Sequence, residues 1–406
     1  MKVLYFHQHF VTPRGAGAIR SYAMSQKLIK RGHEVTLVCG SAVGGSTGLT
    51  EPFDKRGRRR GVVEGINVIE INLPYSNKDS FTKRVLTFLK YVFFSIEIIF
   101  KEKHDLIFCT STPLTAGIPG VLSHWILRKP FVFEVRDLWP ELPKAMKVIT
   151  NPVLLWMMGL LEWVCYHSAT RLVALSPGIA DGIAKRGIPT NLIELIPNGC
   201  DIDIFGAKYP AWRPDGISED DFMAIFAGTH GIANGLDSVI DAAIVLKKRK
   251  RSDIKILLIG DGRLKKELIS RAKEENLDNI IFHDVVSKSL LAGLMASADI
   301  GLQVLSNVPA FYYGTSPNKF FDYIAAGLPV INNYPGWIAD VIKEENIGFA
   351  VLPDSAGQFA DAFELAADNS ERLKEQGLAA RNLANKRFDR NLLSDKWCEW
   401  VEGAIL

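Results

Sequence analysis

The feature that most constrains this chain is a repeated alternation of short apolar runs with longer helical patterns. In the first half, runs typical of buried strands occur at 3–6, 34–39, 106–108, 131–135, 172–175 and 193–196. A helical pattern at 15–31 follows the first of these runs. Strands that alternate with helices are typical of a parallel sheet covered by helices on both faces. The first half therefore predicts a doubly wound α/β domain.

The same alternation starts again after residues 210–221, which are rich in proline, glycine and acidic residues and which we interpret as a linker. Further strands are predicted at 223–227, 255–259, 280–282, 300–304 and 330–331, with helices at 236–248 and 319–326. A length of 406 residues fits two domains. We predict two Rossmann-like doubly wound domains, over 1–200 and 201–387, that face each other across a cleft where ligands bind. A last helix within about 388–406 can pack back on the first domain.

Composition excludes several classes of function. The formal net charge of +3 is small for this length, so we expect no nucleic-acid partner. The five cysteines form no C-x-x-C pair and are odd in number, which argues against a disulfide framework. Residues 1–6 read as a first strand and not as a signal peptide. We therefore expect a reducing, cytoplasmic location.

Three segments bear on contact with a membrane. Residues 55–60 read Lys-Arg-Gly-Arg-Arg-Arg, a predicted basic loop that either faces anionic phosphates or is simply solvated. Residues 81–100 and 152–165 are strongly apolar, but each is interrupted by charge. A spanning helix needs about 20 consecutive apolar residues. Both stretches suit a buried core helix or a helix on a membrane surface better than a spanning one.

Two turns that precede predicted helices are suited to a diphosphate. Gly15 and Gly17 stand before the first helix, where glycine lets backbone N–H groups approach phosphate oxygens. Residues 316–318 precede a second helix, whose N-terminus offers free N–H groups and the positive end of the helix dipole. Lys319 adds a cation at the same position. An ordinary turn is the alternative interpretation of both segments.

The order and spacing of four segments resemble the retaining glycosyltransferases of family 4, and the resemblance covers nearly the whole chain. These segments are 13–20 with 31–35, 196–201, 227–237 and, most specifically, 316–330. The resemblance implies the GT-B fold, with an acceptor-binding N-terminal domain and a C-terminal domain that binds a nucleotide-sugar. It also implies that Asp322 holds the nucleotide ribose, a task that suits a carboxylate because it can accept from two vicinal hydroxyls.

The residues and the resemblance together give two sets of candidates. The catalytic candidates are Arg136, Asp137 and Lys319. The candidates for binding the donor are Gly15, Gly17, Arg20, Gly228, Thr229, Arg263, Val285, Val286, Pro317, Asn318, Lys319 and Asp322.

Three motifs depart from the family pattern. The first acid of its paired-acid motif falls on Gly314, and its basic pair falls on Thr229 and Asn234. Its His-Asp pair appears as Arg136-Asp137, in a stretch that resembles the branch building O-antigens, capsules and exopolysaccharides, including N-acetyl-fucosamine transferases. Some cation must neutralise the leaving diphosphate. The candidates for that cation are Arg14, Arg20, Arg136 and Arg263.

The resemblance implies transfer of an N-acetylated or deoxy hexose from a UDP-sugar, with retention at the anomeric carbon. The eight histidines show no H-x-x-x-H spacing, so we expect no metal, and no cofactor besides the UDP-sugar co-substrate. The basic loop and the 81–100 helix suit a polyprenyl-diphosphate-linked or glycan acceptor. The enzyme would then be a peripheral protein at the inner face of the cell membrane. A carboxylate nucleophile, Asp137 or Glu141, is the alternative mechanism.

Three other functions compete with this interpretation. A nicotinamide-dependent dehydrogenase is disfavoured because Arg20 stands where the third glycine of G-x-G-x-x-G is needed. A sugar-nucleotide epimerase of the same fold would need no acceptor surface, which the apolar helices argue against. A non-catalytic GT-B regulatory subunit stays open because Gly314, Thr229 and Asn234 depart from the family pattern.

Overall fold

Residues 1–15, 17, 19–42, 46–76, 79–206 and 209–405 are described by the computed structural model of the chain. Ala16 and Ala18, in the predicted glycine turn, lie outside the described residues. Contacts divide the chain into two units, and the first comprises Met1–Pro197, Gly314–Ser316 and Asn391–Leu406. Unit 2 comprises Asn198–Tyr313 and Pro317–Arg390. The predicted linker at 210–221 therefore lies inside unit 2, because the chain leaves the first unit earlier, at Pro197.

Unit 1 is built on an eight-stranded sheet. Its strands are β1 (Lys2–Phe6), β2 (Glu34–Ala42), β3 (Arg58–Val63), β4 (Ile66–Tyr75), β5 (Leu106–Thr110), β6 (Phe131–Val135), β7 (Arg171–Ala174) and β8 (Ile193–Leu195). Their order is β3-β4-β2-β1-β5-β6-β7-β8, with β3 antiparallel to β4 and the other described pairs parallel. Every residue of β5 and β6 is buried, as expected for strands covered on both faces. The strand order reverses between β1 and β5, which places a crevice at their carboxyl ends.

The prediction of a basic loop at 55–60 is wrong for its second half. Residues 58–60 are the first residues of β3. Their guanidinium groups are already bound to carboxylates of the same unit, which weakens their attraction for external phosphates. The pairs are Arg58 with Glu97, Arg59 with Glu70 at 2.8 Å, and Arg60 with Glu102 at 2.7 Å.

Helices cover both faces of this sheet. They are α1 (Arg20–Lys30), α2 (Phe81–Lys101), α3 (Ile118–Leu127), α4 (Glu141–Ala145), α5 (Pro152–Ser168) and α6 (Pro177–Lys185). The apolar stretches of the sequence become α2 and α5, which Ser80 and Asn151 cap by accepting hydrogen bonds from first-turn N–H groups. Among the helices that the structure describes, none is long and apolar enough to cross a bilayer.

Unit 2 contains a six-stranded, fully parallel sheet. Its strands are β9 (Phe222–Ala227), β10 (Ile254–Ile259), β11 (Ile280–His283), β12 (Ile300–Gln303), β13 (Val330–Asn332) and β14 (Gly348–Ala350). Its helices are α7 (Ile202–Phe205), α8 (Asp237–Lys248), α9 (Lys265–Glu274), α10 (Lys288–Ser297), α11 (Pro309–Gly314), α12 (Asn318–Ala326), α13 (Trp337–Glu344), α14 (Ala356–Ala367) and α15 (Ser370–Leu383). The order β11-β10-β9-β12-β13-β14 reverses between β9 and β12. A ligand crevice is therefore expected at the carboxyl ends of β9 and β12.

The last helix, α16 (Arg390–Glu402), belongs to unit 1 from Asn391 onward. Trp397 is fully buried there, with its ring 4.7 Å from that of Phe108 and 6.0 Å from that of Tyr5. Both partner rings lie on central strands of the sheet, so α16 completes the core of the first unit.

Candidate functional site

The start of α12 lies at the crevice of unit 2. The helix follows Pro317, and no side chain caps its N-terminus. The Lys319 ammonium lies 2.9 Å from Asn234 Oδ1 and 5.0 Å from the centre of the Phe226 ring on β9. A methyl group at Gly228 would lie 3.1 Å from Lys319 Cε, so the glycine leaves room for the lysine stem. Lys319 and Gly228, two of the predicted donor-binding residues, therefore lie next to each other.

Lys319 makes this helix start a positive site. Burial lowers the pKa of Lys319 to about 8, against the attraction of the Asp322 carboxylate. The ammonium therefore stays largely charged at neutral pH. It adds to the uncapped N–H groups and the positive dipole end of α12. Together they form an arrangement that suits a phosphate group.

Asp322, one turn further along α12, belongs to a cluster of charges. Burial raises the pKa of Asp322 to about 7, with the negative charge of Asp201 acting in the same direction and the cations Lys288 and Arg390 opposing it. Asp201 accepts a hydrogen bond from Arg390 Nε and lies 3.7 Å from Lys288 Nζ. The sequence analysis included Asp201 in the segment 196–201 but gave it no role. It did not identify Lys288 or Arg390, which come from distant parts of the chain.

The carboxylate of Asp201 is already paired with cations. Asp201 begins a D-x-D spacing with Asp203, but its carboxylate is bound to Arg390 and lies near Lys288. Within the ranges that the structure describes, no group of three or more histidine, cysteine or acidic side chains is arranged to hold a metal ion.

The remaining unit 2 candidates lie at the same edge of the sheet. Gly228 and the exposed Thr229 follow β9, and the exposed Arg263 follows β10. Val285, which is 57% exposed, and Val286 follow β11. Because the carboxyl ends of parallel strands share one edge, these five residues lie at the edge of the sheet where the crevice is expected. Their contacts with a donor remain predictions.

The prediction that Arg20 binds the donor diphosphate is wrong. Its guanidinium is 1% exposed and donates from Nε to Glu134 at 2.9 Å. It also donates to the carbonyl oxygens of Pro197 at 2.6 Å and Ile196 at 2.9 Å. A diphosphate cannot reach this group without unfolding its surroundings, so the buried ion pair indicates a structural role and not charge neutralisation.

The carboxyl edge of unit 1 carries Arg136 and Asp137 directly after β6. The Arg136 backbone N–H donates to Ser111 Oγ at 2.9 Å, and its Nη1 lies 3.3 Å from His7 Nε2. Burial and the Arg136 charge hold the pKa of His7 well below its usual value, so this histidine is neutral. Burial raises the pKa of the Asp137 carboxyl, opposed by Arg136. The structure therefore places the two catalytic candidates of unit 1 on its expected crevice.

The glycine turn before α1 uses one of its backbone N–H groups in an internal hydrogen bond. The Gly15 N–H donates to the Thr12 carbonyl at 2.9 Å, so it is not directed at a ligand. Gly17 is exposed, and a methyl group there would lie 3.0 Å from Val11 Cγ2. A phosphate role for this turn remains a prediction.

Two protein families match consecutive parts of the chain. Residues 15–199 match the family described as a glycosyl transferase 4-like domain. Residues 211–383 match the family described as glycosyl transferases group 1. The two matches together span most of the chain and fall on units 1 and 2.

Among individual proteins, the chain is similar to an uncharacterised glycosyltransferase of Methanocaldococcus jannaschii, with 22% identity over 85% of this chain and 83% of that protein. Among solved structures it resembles HepE of Anabaena in complex with UDP-glucose, with a TM-score of 0.68 and 16% identity over 99% and 100% of the two chains. It also resembles WaaG, a glycosyltransferase involved in lipopolysaccharide biosynthesis, with a TM-score of 0.69 and 16% identity over the same shares. Likeness at this identity shows the shared two-domain fold.

Proposed function

We propose that this chain, which belongs to the glycosyltransferases with the GT-B fold, transfers a hexose from a UDP-sugar to a lipid-linked glycan. The observation that carries the proposal is the positive start of α12, where Lys319 stands one turn before Asp322 at the crevice of the second sheet. The HepE structure, which holds UDP-glucose, supports UDP as the nucleotide. WaaG and the resemblance of residues 136–141 to polysaccharide-building enzymes support a place in bacterial surface polysaccharide synthesis.

Each part of the donor has a proposed partner in unit 2. The diphosphate lies at the N-terminus of α12, where no side chain caps the first-turn N–H groups that begin at Asn318 and Lys319 supplies the charge. The ionised carboxylate of Asp322 accepts from the two ribose hydroxyls. The uracil base lies against the backbone of Val285 and Val286, which the fold places at the same edge.

The proposed reaction retains the configuration at the anomeric carbon. The bond from that carbon to the diphosphate oxygen breaks, and its electron pair leaves with UDP. The acceptor hydroxyl forms the new bond on the same face, and its proton passes to the departing phosphate oxygen. Lys319 and the α12 dipole stabilise the charge that develops on the phosphate, which is the largest single contribution in many enzymes.

A thermal-shift comparison tests the donor assignment. We expect UDP, and not GDP or ADP, to raise the melting temperature by a few degrees, since ligand at 100 times its Kd adds about 2.7 kcal/mol to the folded state. Lys319→Met should remove the shift, whereas Lys266→Met, at an exposed lysine of α9, should retain it. A chain that binds UDP but turns over no UDP-sugar with any acceptor would instead be the non-catalytic subunit.

One helical layer of unit 1 supports the membrane part of the proposal. Helix α3 packs against both α2 and α5, and the outer faces of the three helices expose large apolar side chains. On α5 the exposed face contains no charged residue. The exposed residues include Leu86, Leu89 and Phe93 on α2, Trp125 and Ile126 on α3, and Val153, Trp156, Met157, Leu160 and Trp163 on α5.

The charges around this layer favour an anionic bilayer as its partner. Lys90, Arg128, Lys144 and Lys147 are exposed on α2 or beside α3 and α5. Each cation near an anionic membrane surface contributes about 1 kcal/mol of attraction, and tryptophan prefers the membrane–water interface. We therefore propose that α2, α3 and α5 lie on the membrane that carries the polyprenyl-diphosphate-linked acceptor.

Sedimentation with lipid vesicles tests this surface. The protein should sediment with vesicles containing phosphatidylglycerol and much less with phosphatidylcholine alone. A triple change of Trp156, Leu160 and Trp163 to serine should abolish sedimentation, whereas Leu378→Ser, at an exposed leucine of unit 2, should not. If the triple variant sediments normally, or instead loses a dimer seen by gel filtration, the layer has another partner.

A further inference from the structure

Asn234 makes two hydrogen bonds that join the loop after β9 to α12. Its Nδ2 donates to the Thr229 carbonyl at 2.7 Å, and its Oδ1 accepts from the Lys319 ammonium at 2.9 Å. Because a carbonyl only accepts and an ammonium only donates, these two partners fix the orientation of the amide. Asn234 therefore holds the lysine head at a defined place on the crevice.

Few side chains can make both bonds. An aspartate of the same size accepts from Lys319 but cannot donate to Thr229, and a lysine or arginine cannot accept at all. An aspartate would also form an ion pair with Lys319 and neutralise it. The amide of Asn234 holds the ammonium without adding charge, so the positive charge of Lys319 is not cancelled at this contact.

We propose that Asn234 is a positioning residue, which directs the Lys319 ammonium at the donor diphosphate and, being neutral, leaves its charge for that ligand. The inference rests on the proposed function, since it takes the donor to be a UDP-sugar. One of the three ammonium N–H groups goes to Asn234, and the others are available to phosphate oxygens. The departure of position 234 from a basic residue then reflects a cation that comes from α12 instead.

The test compares UDP binding by calorimetry in five variants. Asn234→Asp should weaken UDP at least tenfold, because the new carboxylate neutralises Lys319 and repels the diphosphate. Asn234→Ala, which only frees the lysine head, should weaken it severalfold. Because Asn234→Ala acts only through Lys319, the double variant N234A/K319M should bind no worse than Lys319→Met alone. Asn385→Asp, at an exposed asparagine of unit 2, should bind as the parent protein does.

A second measurement does not need the ligand. The acylation rate of Lys319 as a function of pH reports its pKa, and Asn234→Asp should raise that pKa because an adjacent anion favours the ammonium. The proposal is overturned if this profile is unchanged, or if Asn234→Asp binds UDP within twofold of the parent protein. If the parent protein does not bind UDP, the proposed function fails. The lysine profile then still decides whether Asn234 controls the charge of Lys319.

Discussion

The affinity for a UDP-sugar should follow a bell-shaped pH profile, because two groups of α12 must carry opposite charges at once. In the proposed complex Asp322 accepts from both ribose hydroxyls best as a carboxylate, and its pKa is raised to about 7. Lys319 attracts the diphosphate only as an ammonium, and its pKa is lowered to about 8. Affinity should therefore fall as the pH drops through 7 and again as it rises through 8.

The width of the profile follows from these two values. At pH 7.5 roughly three quarters of each group is in the required state, so about 0.6 of the molecules are competent. At pH 6 about a tenth of Asp322 is ionised, and at pH 9 about a tenth of Lys319 is protonated. We therefore expect the affinity to fall about sixfold at both limits and then about tenfold for each further pH unit.

Calorimetric titration with a UDP-sugar between pH 5 and 10 measures the profile. A UDP-sugar is preferable to UDP, whose terminal phosphate has a pKa near 6 and would itself shape the acid side. Asp322→Asn should bind more weakly at its optimum and lose the acid limb, and Lys319→Met should lose the basic limb. An acid limb that persists in Asp322→Asn would refute the assignment of that limb to this carboxyl.

The other predictions concern the stability of each unit, measured by urea unfolding. Glu134→Ala should destabilise unit 1 by about 3–5 kcal/mol, because Arg20 is left charged and buried. Glu34→Ala, which breaks an exposed pair with Lys2, should cost less than about 1 kcal/mol. Gly260→Ala should destabilise unit 2 by about 1–3 kcal/mol, since its methyl would lie 1.9 Å from the Gly228 carbonyl oxygen. Gly357→Ala on α14 has nothing within 4 Å and should not destabilise it.

Local pattern was enough to predict the two sheets. The runs that become β1, β5, β6, β9, β10 and β12 are mostly apolar, because a strand covered on both faces has no solvent-exposed side. Strands β3 and β4 were not predicted. Strand β3 lies at the edge of the sheet, where Arg58–Val63 mixes buried, half-buried and exposed residues and includes three arginines. A run of charged residues is typical of a loop, so the sequence does not indicate this strand. The glutamates that pair with its arginines lie elsewhere in the chain.

The candidate site was only partly visible in the sequence. Lys319 and Asp322 are one turn apart on one helix, so a local motif indicates both. The partners that control their charges, such as Arg390 and Asn234, come from other elements and depend on the folded chain. Arg20 shows the opposite error. As a cation at the start of α1, close to the glycine turn, it suggests a phosphate ligand, but Glu134, more than a hundred residues away, binds it inside the core.

Asp201 supplies the sharpest check on this charge cluster. Its charge raises the pKa of Asp322, and it also pairs with Arg390, whose charge lowers that pKa. Asp201→Asn removes the negative charge but keeps an oxygen that can accept from Arg390. The loss of the negative charge and the uncompensated positive charge of Arg390 both favour the Asp322 carboxylate. The acid limb of the binding profile should therefore move to lower pH, while the basic limb stays near 8. An acid limb that stays in place would show that the charge of Asp201 does not set the pKa of Asp322 and that Asp201 serves only to hold Arg390.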